Sequence, residues 1–438
     1  MSAAIDAGTS RATLPDGTGT AADYLRRAVL ESGTGAEWPR EAYPCKLSRI
    51  GIVGAGTMGA GIALAFLNSE VPVVMLDRTG AALELGRAAV AAACDSARRK
   101  GRITEPEIRE RLSLLHTTLH WSALRDCDLV IEAVDEHVLL KREVLSILGG
   151  VCKPTAVIAS CTSSLPLDRL AAASGRPEDV VGMHFMAPAH VRPVIEIVRG
   201  MDTSERALFV AREAARLVRH IPVLSGANFC FTGNRLLSRL HREAEFLFLE
   251  GTPVERIDGV LEHFGFAMGP FRTLDLVGLD VAVQVLDERR RLLRPIDHPA
   301  FRVATRRLHA MRRLGQKSRA GFYAYEGRTA TPDPVVERLG RTLAERHGVA
   351  RRQVDDKEIL ERCLYPMIAE GWRALREGCA KRESDIDLLW TYGYGFPAAL
   401  GGPMRYGRSV GVETIRKAMG RYAQRLGNRY GYWDVEPA

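Results

Sequence analysis

The sequence predicts an α/β domain built on a parallel sheet, followed by two duplicated all-α domains. Three observations predict it: short apolar runs alternate with helical patterns in the first half, the strand signals stop near residue 225, and the helical second half repeats itself.

The chain has 438 residues, room for two or three domains. Residues 1–46 are poor in core side chains and rich in Gly, Ala, Thr and Pro. They read as a linker-like extension with one short amphipathic stretch over 22–30 that suits a helix. At Ser48 the character changes. Strand candidates cover 49–53, 71–76, 128–132, 156–159, 180–184 and 194–198. Helical patterns fall at 57–67, near 81–99 and near 105–114. Strands alternating with helices imply a parallel sheet covered on both faces, assigned to 47–226.

From Thr232 onward the segments read as helices with turn signals. Glu243, Glu250-Gly251, Ile257-Asp258, Gly265-Phe266, Gly269-Pro270 and Val277-Gly278 recur as Glu370, Glu377-Gly378, Ile386-Asp387, Gly395-Phe396, Gly402-Pro403 and Val410-Gly411. The first spacing is 7 residues and the last 8 in both runs, so the order is that of a duplication with loop insertions between. Copy 1 is assigned to 227–326 and copy 2 to 355–438, with a polar linker over 327–354.

Composition narrows the function. At 46% hydrophobic and 26% charged the chain is ordinary globular protein, which excludes bulk disorder. No apolar run reaches the roughly 20 residues of a membrane span, and the N-terminus lacks the apolar core of a secretory signal, so the mature chain is expected to be the whole chain. Eight scattered cysteines without a Cys-x-x-Cys pair argue against zinc and against a disulfide frame; no metal is expected, and a reducing cytoplasm is the natural compartment. Net charge is +8, and Lys supplies only eight of the 61 basic residues. The excess is spread along the chain, which excludes a nucleic-acid track but favours capture of a polyanionic small molecule.

Gly54-Ala55-Gly56-Thr57-Met58-Gly59 follows the first strand candidate and opens the first helical pattern. Alone this motif is weak. Here an acid, Asp77, stands 18 residues past Gly59 at the end of the second strand candidate and completes the context of a dinucleotide site. Gly54 permits a tight turn, Gly56 lets the backbone approach a pyrophosphate, and Gly59 lets helix and strand pack closely. The helix start at Thr57 and Met58 attracts the phosphates. Asp77 accepts hydrogen bonds from an adenosine ribose and repels a 2′-phosphate, which favours NAD over NADP; neighbouring Arg78 is the one residue against. A Rossmann-like NAD-binding domain is therefore expected.

Further motifs are Asp128-Leu129-Val130-Ile131-Glu132-Ala133, Thr162-Ser163-Ser164-Leu165, Gly182-Met183-His184-Phe185, Glu196, Gly233-Asn234-Arg235 and Gly321-Phe322-Tyr323. With the Gly54–Gly59 loop they make the chain, from about Lys46 to near its C-terminus, resemble the 3-hydroxyacyl-CoA dehydrogenases. More narrowly, it resembles the dehydrogenase part of the multifunctional fatty-acid β-oxidation enzymes. Those enzymes carry a hydratase domain upstream; this chain keeps what looks like its linker, so no hydratase chemistry is expected. The resemblance implies NAD-dependent interconversion of a 3-hydroxyacyl thioester, on CoA, and its 3-oxoacyl form. Two alternatives stand beside it: a dehydrogenase acting on a carrier-protein thioester, and a non-catalytic binding protein that keeps the fold. In the family the helical domain buries a face against a partner copy; a tandem duplication can supply that partner in cis, so the chain accommodates a monomer as well as a homodimer.

His184 and Glu196 read as an acid–base pair. Oxidising a secondary alcohol requires removal of its hydroxyl proton, imidazole titrates near neutrality, and a carboxylate can orient the ring. The resemblance places Ser163 and Asn234 around the reacting oxygens of the substrate, although Ser163 also reads as a helix N-cap and Asn234 as a helix-start polar residue. It places Ala133, Glu136, Lys141 and Ser163 near the cofactor, and Lys317 near the nicotinamide; Glu136, Lys141 and Lys317 equally suit solvated surface charges. Four positions depart from the family pattern: Cys161 and Ala187 each stand where it has Asn, Phe229-Cys230 where it has Pro-Gly, and Arg319 where it has Gly. The intact Ser163, His184, Glu196 and Asn234 favour a working enzyme with an unusual substrate.

Overall fold

Strands buried between two helix layers must be apolar on both faces. β1 (Ile50–Val53), β2 (Val73–Leu76), β4 (Leu129–Glu132) and β5 (Val157–Ser160) are buried at every position. In the computed structural model, which describes residues 19–292 and 298–436, they join β3 (Leu115–Thr118), β6 (Val180–Phe185), β7 (Val194–Arg199) and β8 (Ile221–Gly226) in one sheet. The strand order is β3-β2-β1-β4-β5-β6-β7-β8. All pairings are parallel except β6 with β7, which is antiparallel. The chain leaves β1 in one direction for β2 and returns on the other side as β4, so the carboxyl ends of β1 and β4 flank a topological switch point. This is the Rossmann-like domain that the sequence predicts.

Two strands were not among those expected. β3 reads Leu-His-Thr-Thr and buries only its first residue. β8 carries Pro222, which an edge strand tolerates because one side of it needs no ladder donor.

The second half is largely helical rather than all-α. A hairpin, β9 (Tyr323–Glu326) with β10 (Thr329–Pro332), turns at Gly327, which has φ of 59°. The expected linker 327–354 is thus structured: it contains β10 and the helix Pro334–His347, which buries Val336, Leu343 and Ala344. A Cβ on Gly340 of that helix would lie 2.6 Å from the Phe248 ring, so the helix is packed closely on its neighbour.

Residues 19–46 are also more than a linker; residues 1–18 of that extension lie outside the described ones. Thr20 caps the helix Ala21–Glu31, whose Leu25 and Ala28 pack with Met186, Val194, Val223, Leu388 and Leu389. The Tyr24 hydroxyl donates to Asp387 Oδ2 at 2.7 Å, and Asp387 also accepts from Met404 N at 2.7 Å and Arg405 N at 3.1 Å, at the start of helix Pro403–Val410. Asp258 does the same for helix Pro270–Val277, accepting from Phe271 N at 2.9 Å, Arg272 N at 3.0 Å and the Tyr323 hydroxyl at 2.8 Å. The N-terminal helix therefore gives one helix start the tyrosine that β9 gives the other.

Helices Gly233–Leu249 and Asp356–Arg376 meet through crossed ion pairs. Arg235 pairs with Glu370 at 2.7 Å and Glu377 at 2.8 Å; Arg362 pairs with Glu243 at 2.8 Å and Glu250 at 2.7 Å. Each helix offers its arginine to the other's glutamates, the reciprocity of a two-fold interface. Arg362 is 1% exposed. Breaking a buried pair from one side leaves charge without its partner. Arg362→Met is therefore expected to destabilise the chain by ~3 kcal/mol in chemical denaturation, and Arg235→Met by less, because its partner Glu377 reaches solvent.

Candidate active site

The antiparallel register of β6 and β7 makes His184 and Glu196 direct cross-strand partners, so both side chains leave the same face of the sheet. His184 Nδ1 lies 3.0 Å from Glu196 Oε2. The carboxylate is wholly buried, and its other oxygen accepts from Ser225 Oγ at 2.7 Å, Thr232 N at 2.8 Å and Gly233 N at 3.2 Å. These donors satisfy a group cut off from water. With Nδ1 turned to the carboxylate, Nε2 is the nitrogen able to take a substrate proton.

Asn234 is the second residue of the helix Gly233–Leu249, one residue past an amide bonded to Glu196. Its Nδ2 donates to the Ser163 carbonyl at 2.9 Å, which joins the two predicted substrate residues. Its Oδ1 accepts from the Tyr394 hydroxyl at 2.9 Å. The sequence reading missed Tyr394: the two residues are 160 positions apart and no local motif marks the contact.

Glu136 and Lys141 are neither of them free surface charges. Lys141 is buried, 2.7 Å from Glu132 and 3.4 Å from Glu136, and donates to the Val134 carbonyl at 3.0 Å. Glu136 Oε1 accepts from Thr162 Oγ1 at 2.7 Å, the Ser163 and Ser164 amides at 2.9 and 3.0 Å, and both serine hydroxyls. Burial opposes the Glu136 charge, but Lys141 and these donors hold its carboxyl below the ordinary range. Burial likewise opposes the Lys141 charge, and Glu132 and Glu136 outweigh it. The expected cofactor residues Glu136, Lys141 and Ser163 are thus knitted into one network beside β5. Lys317 is not drawn into it. It is exposed and pairs with Asp280 at 2.6 Å, one turn from Gln284, which bonds the Glu136 carbonyl.

The glycine loop has the shape that a pyrophosphate requires. A Cβ on Gly54 would lie 2.6 Å from the Ala133 carbonyl oxygen, and one on Gly59 would overlap the Gly54 carbonyl. Gly56 faces open space and caps the helix Thr57–Leu67 without a side-chain bond, so the first amides of that helix are offered outward. Met58 is half-buried beside them. Asp77 stands at the end of β2 and accepts from Ala55 N at 2.8 Å, on the loop itself. These residues fit NAD.

Two of the departures, Cys161 and Cys230, border the network of Glu136, Lys141 and Ser163. Burial pushes the Cys161 thiol up to about 11 and the Cys230 thiol up to about 12. Cys230 has φ of 65°, its neighbour Phe231 48° and Arg319 59°. The left-handed conformation persists at Cys230 and Arg319 without the glycine that suits it, at about 1–2 kcal/mol each. Phe231 is buried, its ring centroid 6.1 Å from that of His184. Ala187 is exposed, two residues beyond β6.

An anion cradle at the switch point and an imidazole–carboxylate pair farther along the same sheet suit the two halves of an alcohol oxidation, and the fold is that of a dinucleotide-dependent oxidoreductase. The chain belongs to the 3-hydroxyacyl-CoA dehydrogenase family. Residues 49–228 match the family's NAD binding domain, and residues 231–325 and 359–436 match its C-terminal domain. The chain is 36% identical over 406 residues to the peroxisomal bifunctional enzyme of Danio rerio, with 90% of this chain and 56% of that protein aligned. The human peroxisomal bifunctional enzyme is 35% identical over 403 residues, 89% of this chain and 55% of that one. The chain thus spans about half the length of the curated relatives it matches. Among solved structures it resembles the dehydrogenase part of multifunctional enzyme 1 from C. elegans, with TM-score 0.64, 27% identity, and 94% and 95% of the two chains covered. It also resembles M. tuberculosis FadB2, with TM-score 0.61, 35% identity, and 64% and 99% covered. Among the described residues no helix is long and apolar enough to cross a membrane.

The loop geometry makes a direct prediction. Gly59→Ala would force a methyl group into the Gly54 carbonyl. NADH titration followed by fluorescence is expected to show at least a tenfold weaker affinity; an unchanged affinity would mean that the dinucleotide binds elsewhere.

Proposed function

We propose that the chain catalyses the NAD-dependent interconversion of a 3-hydroxyacyl-CoA thioester and its 3-oxoacyl form. The observation that carries this is the register-set pairing of His184 with a buried Glu196. His184 Nε2 removes the C3 hydroxyl proton in oxidation and returns it in reduction, and Glu196 holds the ring and stabilises its cationic form. Asn234 bonds a substrate oxygen without adding charge, and the Ser163 hydroxyl does the same by exchanging its long 3.2 Å bond to Glu136 for one to the substrate. Bound NAD would supply the hydride acceptor for C3. Gly54, Gly56 and Gly59 with the helix start would hold its pyrophosphate, Asp77 its adenosine ribose, and Ala133 would add a further contact. Glu136 and Lys141 act through the network that shapes the Ser163 turn, and Lys317 with Asp280 lies at the rim. The intact dyad favours this reading over a non-catalytic one.

Duplication of the helical domain belongs to the same proposal. The crossed Arg235–Glu370 and Arg362–Glu243 pairs and the matched Asp258 and Asp387 caps support it. The two units then bury in cis the face that the resemblance assigns to a dimer contact, which favours a monomer. The expected cytoplasmic location gains no support from those relatives that are named peroxisomal or glyoxysomal; eight free cysteines suit any reducing compartment.

NADH formation with a panel of 3-hydroxyacyl thioesters on CoA and on carrier protein tests the function. Turnover is expected on CoA thioesters. His184→Ala is expected to lose about 10² to 10⁴ in rate while keeping NADH affinity. Turnover on no thioester, or a His184→Ala variant at the wild-type rate, would overturn the reading.

A further inference from the structure

Leu389–Tyr394 forms a π-helical turn at the end of the helix Glu383–Leu388. Turns of this kind are rare and frequent at functional sites. This one belongs to the second helical unit, yet it wedges against the sheet of the N-terminal domain. A Cβ on Gly393 would come within 3.0 Å of Met186 Cγ and 3.2 Å of Val194 Cγ1, just after β6 and at the start of β7. Tyr394 closes the turn. Its ring stacks on Trp390, with centroids 4.9 Å apart and planes 19° from parallel. Its hydroxyl reaches Asn234 Oδ1 at 2.9 Å, and a Cβ on Gly233 would lie 2.5 Å from that hydroxyl.

We propose that Tyr394 is a positioning residue for Asn234, so that the second helical unit completes the substrate site of its own chain. The inference rests on the reading of Asn234 as a substrate ligand. A side-chain amide has an acceptor oxygen at one end and two N–H donors at the other, and its orientation follows from its partners. The Ser163 carbonyl can only accept, so it fixes the amino end of Asn234. The Tyr394 hydroxyl then donates to the opposite end. One N–H is used by Ser163, and the second is left for a ketone or thioester oxygen. Without the hydroxyl the amide is held from one side only, and the population with its amino group turned to the substrate falls. Burial, with Glu196 and Cys230 nearby, pushes the Tyr394 hydroxyl well above its ordinary range, so it keeps its proton and remains a donor.

The first helical unit supplies an internal comparison. Tyr394 precedes Gly395-Phe396 as Phe264 precedes Gly265-Phe266. Phe264 has no hydroxyl, and its ring packs among Phe266, Phe396 and Tyr406. The packing role at this position is thus met by phenylalanine; the hydroxyl is what the second unit adds. Phenylalanine is accordingly a substitution that the turn accepts.

The test is a double-mutant cycle of Tyr394→Phe and Asn234→Ala in the full chain, read as kcat/KM for a 3-hydroxyacyl-CoA, with NADH affinity and thermal midpoint measured alongside. Loss of one neutral hydrogen bond predicts a drop of about tenfold in kcat/KM for Tyr394→Phe, with NADH affinity and midpoint close to wild type. In the Asn234→Ala background the same change is expected to cost less than twofold, because the residue through which it acts is gone. A Tyr394→Phe variant within twofold of wild type beside a crippled Asn234→Ala, or losses that multiply in the double variant, would overturn the inference and leave the site reading standing. So would a loss of NADH affinity or folding that accounts for the lost turnover. An Asn234→Ala variant as active as wild type would overturn both.

Discussion

Glu196 has no contact with solvent and is held by His184, Ser225 Oγ and the amides of Thr232 and Gly233. Those partners lie on β6, on β8 and at the start of the helix Gly233–Leu249, so one carboxylate ties the sheet to the first helical unit. Its removal would strand buried donors on three elements, and each unpaired one costs about 1–3 kcal/mol. The antiparallel turn of β7 is what brings it there. A parallel strand in its place would enter from the other end of the sheet and would lose the cross-strand match of His184 with Glu196.

The same economy governs the helical half. A carboxylate or a guanidinium is tolerated inside only when it is paired and its remaining hydrogen-bonding groups are satisfied. Arg362 reaches across to Glu243 and Glu250, and Arg235 to Glu370 and Glu377. The two units are therefore fixed face to face, and the turn that ends in Tyr394 is held against Asn234. The N-terminal helix locks the arrangement from outside through Tyr24 and Asp387. The placement of Asn234 and its Tyr394 partner thus depends on ion pairs that lie away from both residues.

Much of the N-terminal domain is legible in the sequence because its signals are local. β1, the glycine loop and Asp77 fall within one short stretch, and each residue type there answers to a single geometric need. β3 is not legible, since a four-residue edge strand with three partly solvated side chains has no apolar run. β8 is masked by Pro222. The dyad is legible as chemistry, whereas its geometry depends on a register that only the paired strands reveal. In residues 19–46 the amphipathic stretch read over 22–30 is the helix Ala21–Glu31, but its packing is not legible, because composition measures how many core residues a segment has, not where its few land; Leu25, Ala28 and Trp38 are all buried. The helix Pro334–His347 is hidden in the same way, following directly on a polar Pro-Asp-Pro stretch. Lys141 suits a surface charge as well as a cofactor contact in the sequence, and only the structure shows it paired with Glu132, at the end of β4, in the interior. Tyr394 is silent in the sequence because its partner lies 160 residues away.

The central claim is that His184 takes the hydroxyl proton while C3 delivers its hydrogen to the nicotinamide. The most direct measurement is a single turnover of a 3-hydroxyacyl-CoA deuterated at C3 with NAD, analysed by mass spectrometry for wild type and His184→Ala. The account predicts one deuterium in the reduced dinucleotide for each 3-oxoacyl product in the wild type, and the same transfer, strongly slowed, in the variant. Deuterium retained on the acyl chain or lost to solvent, or transfer at an equal rate in both proteins, would contradict it.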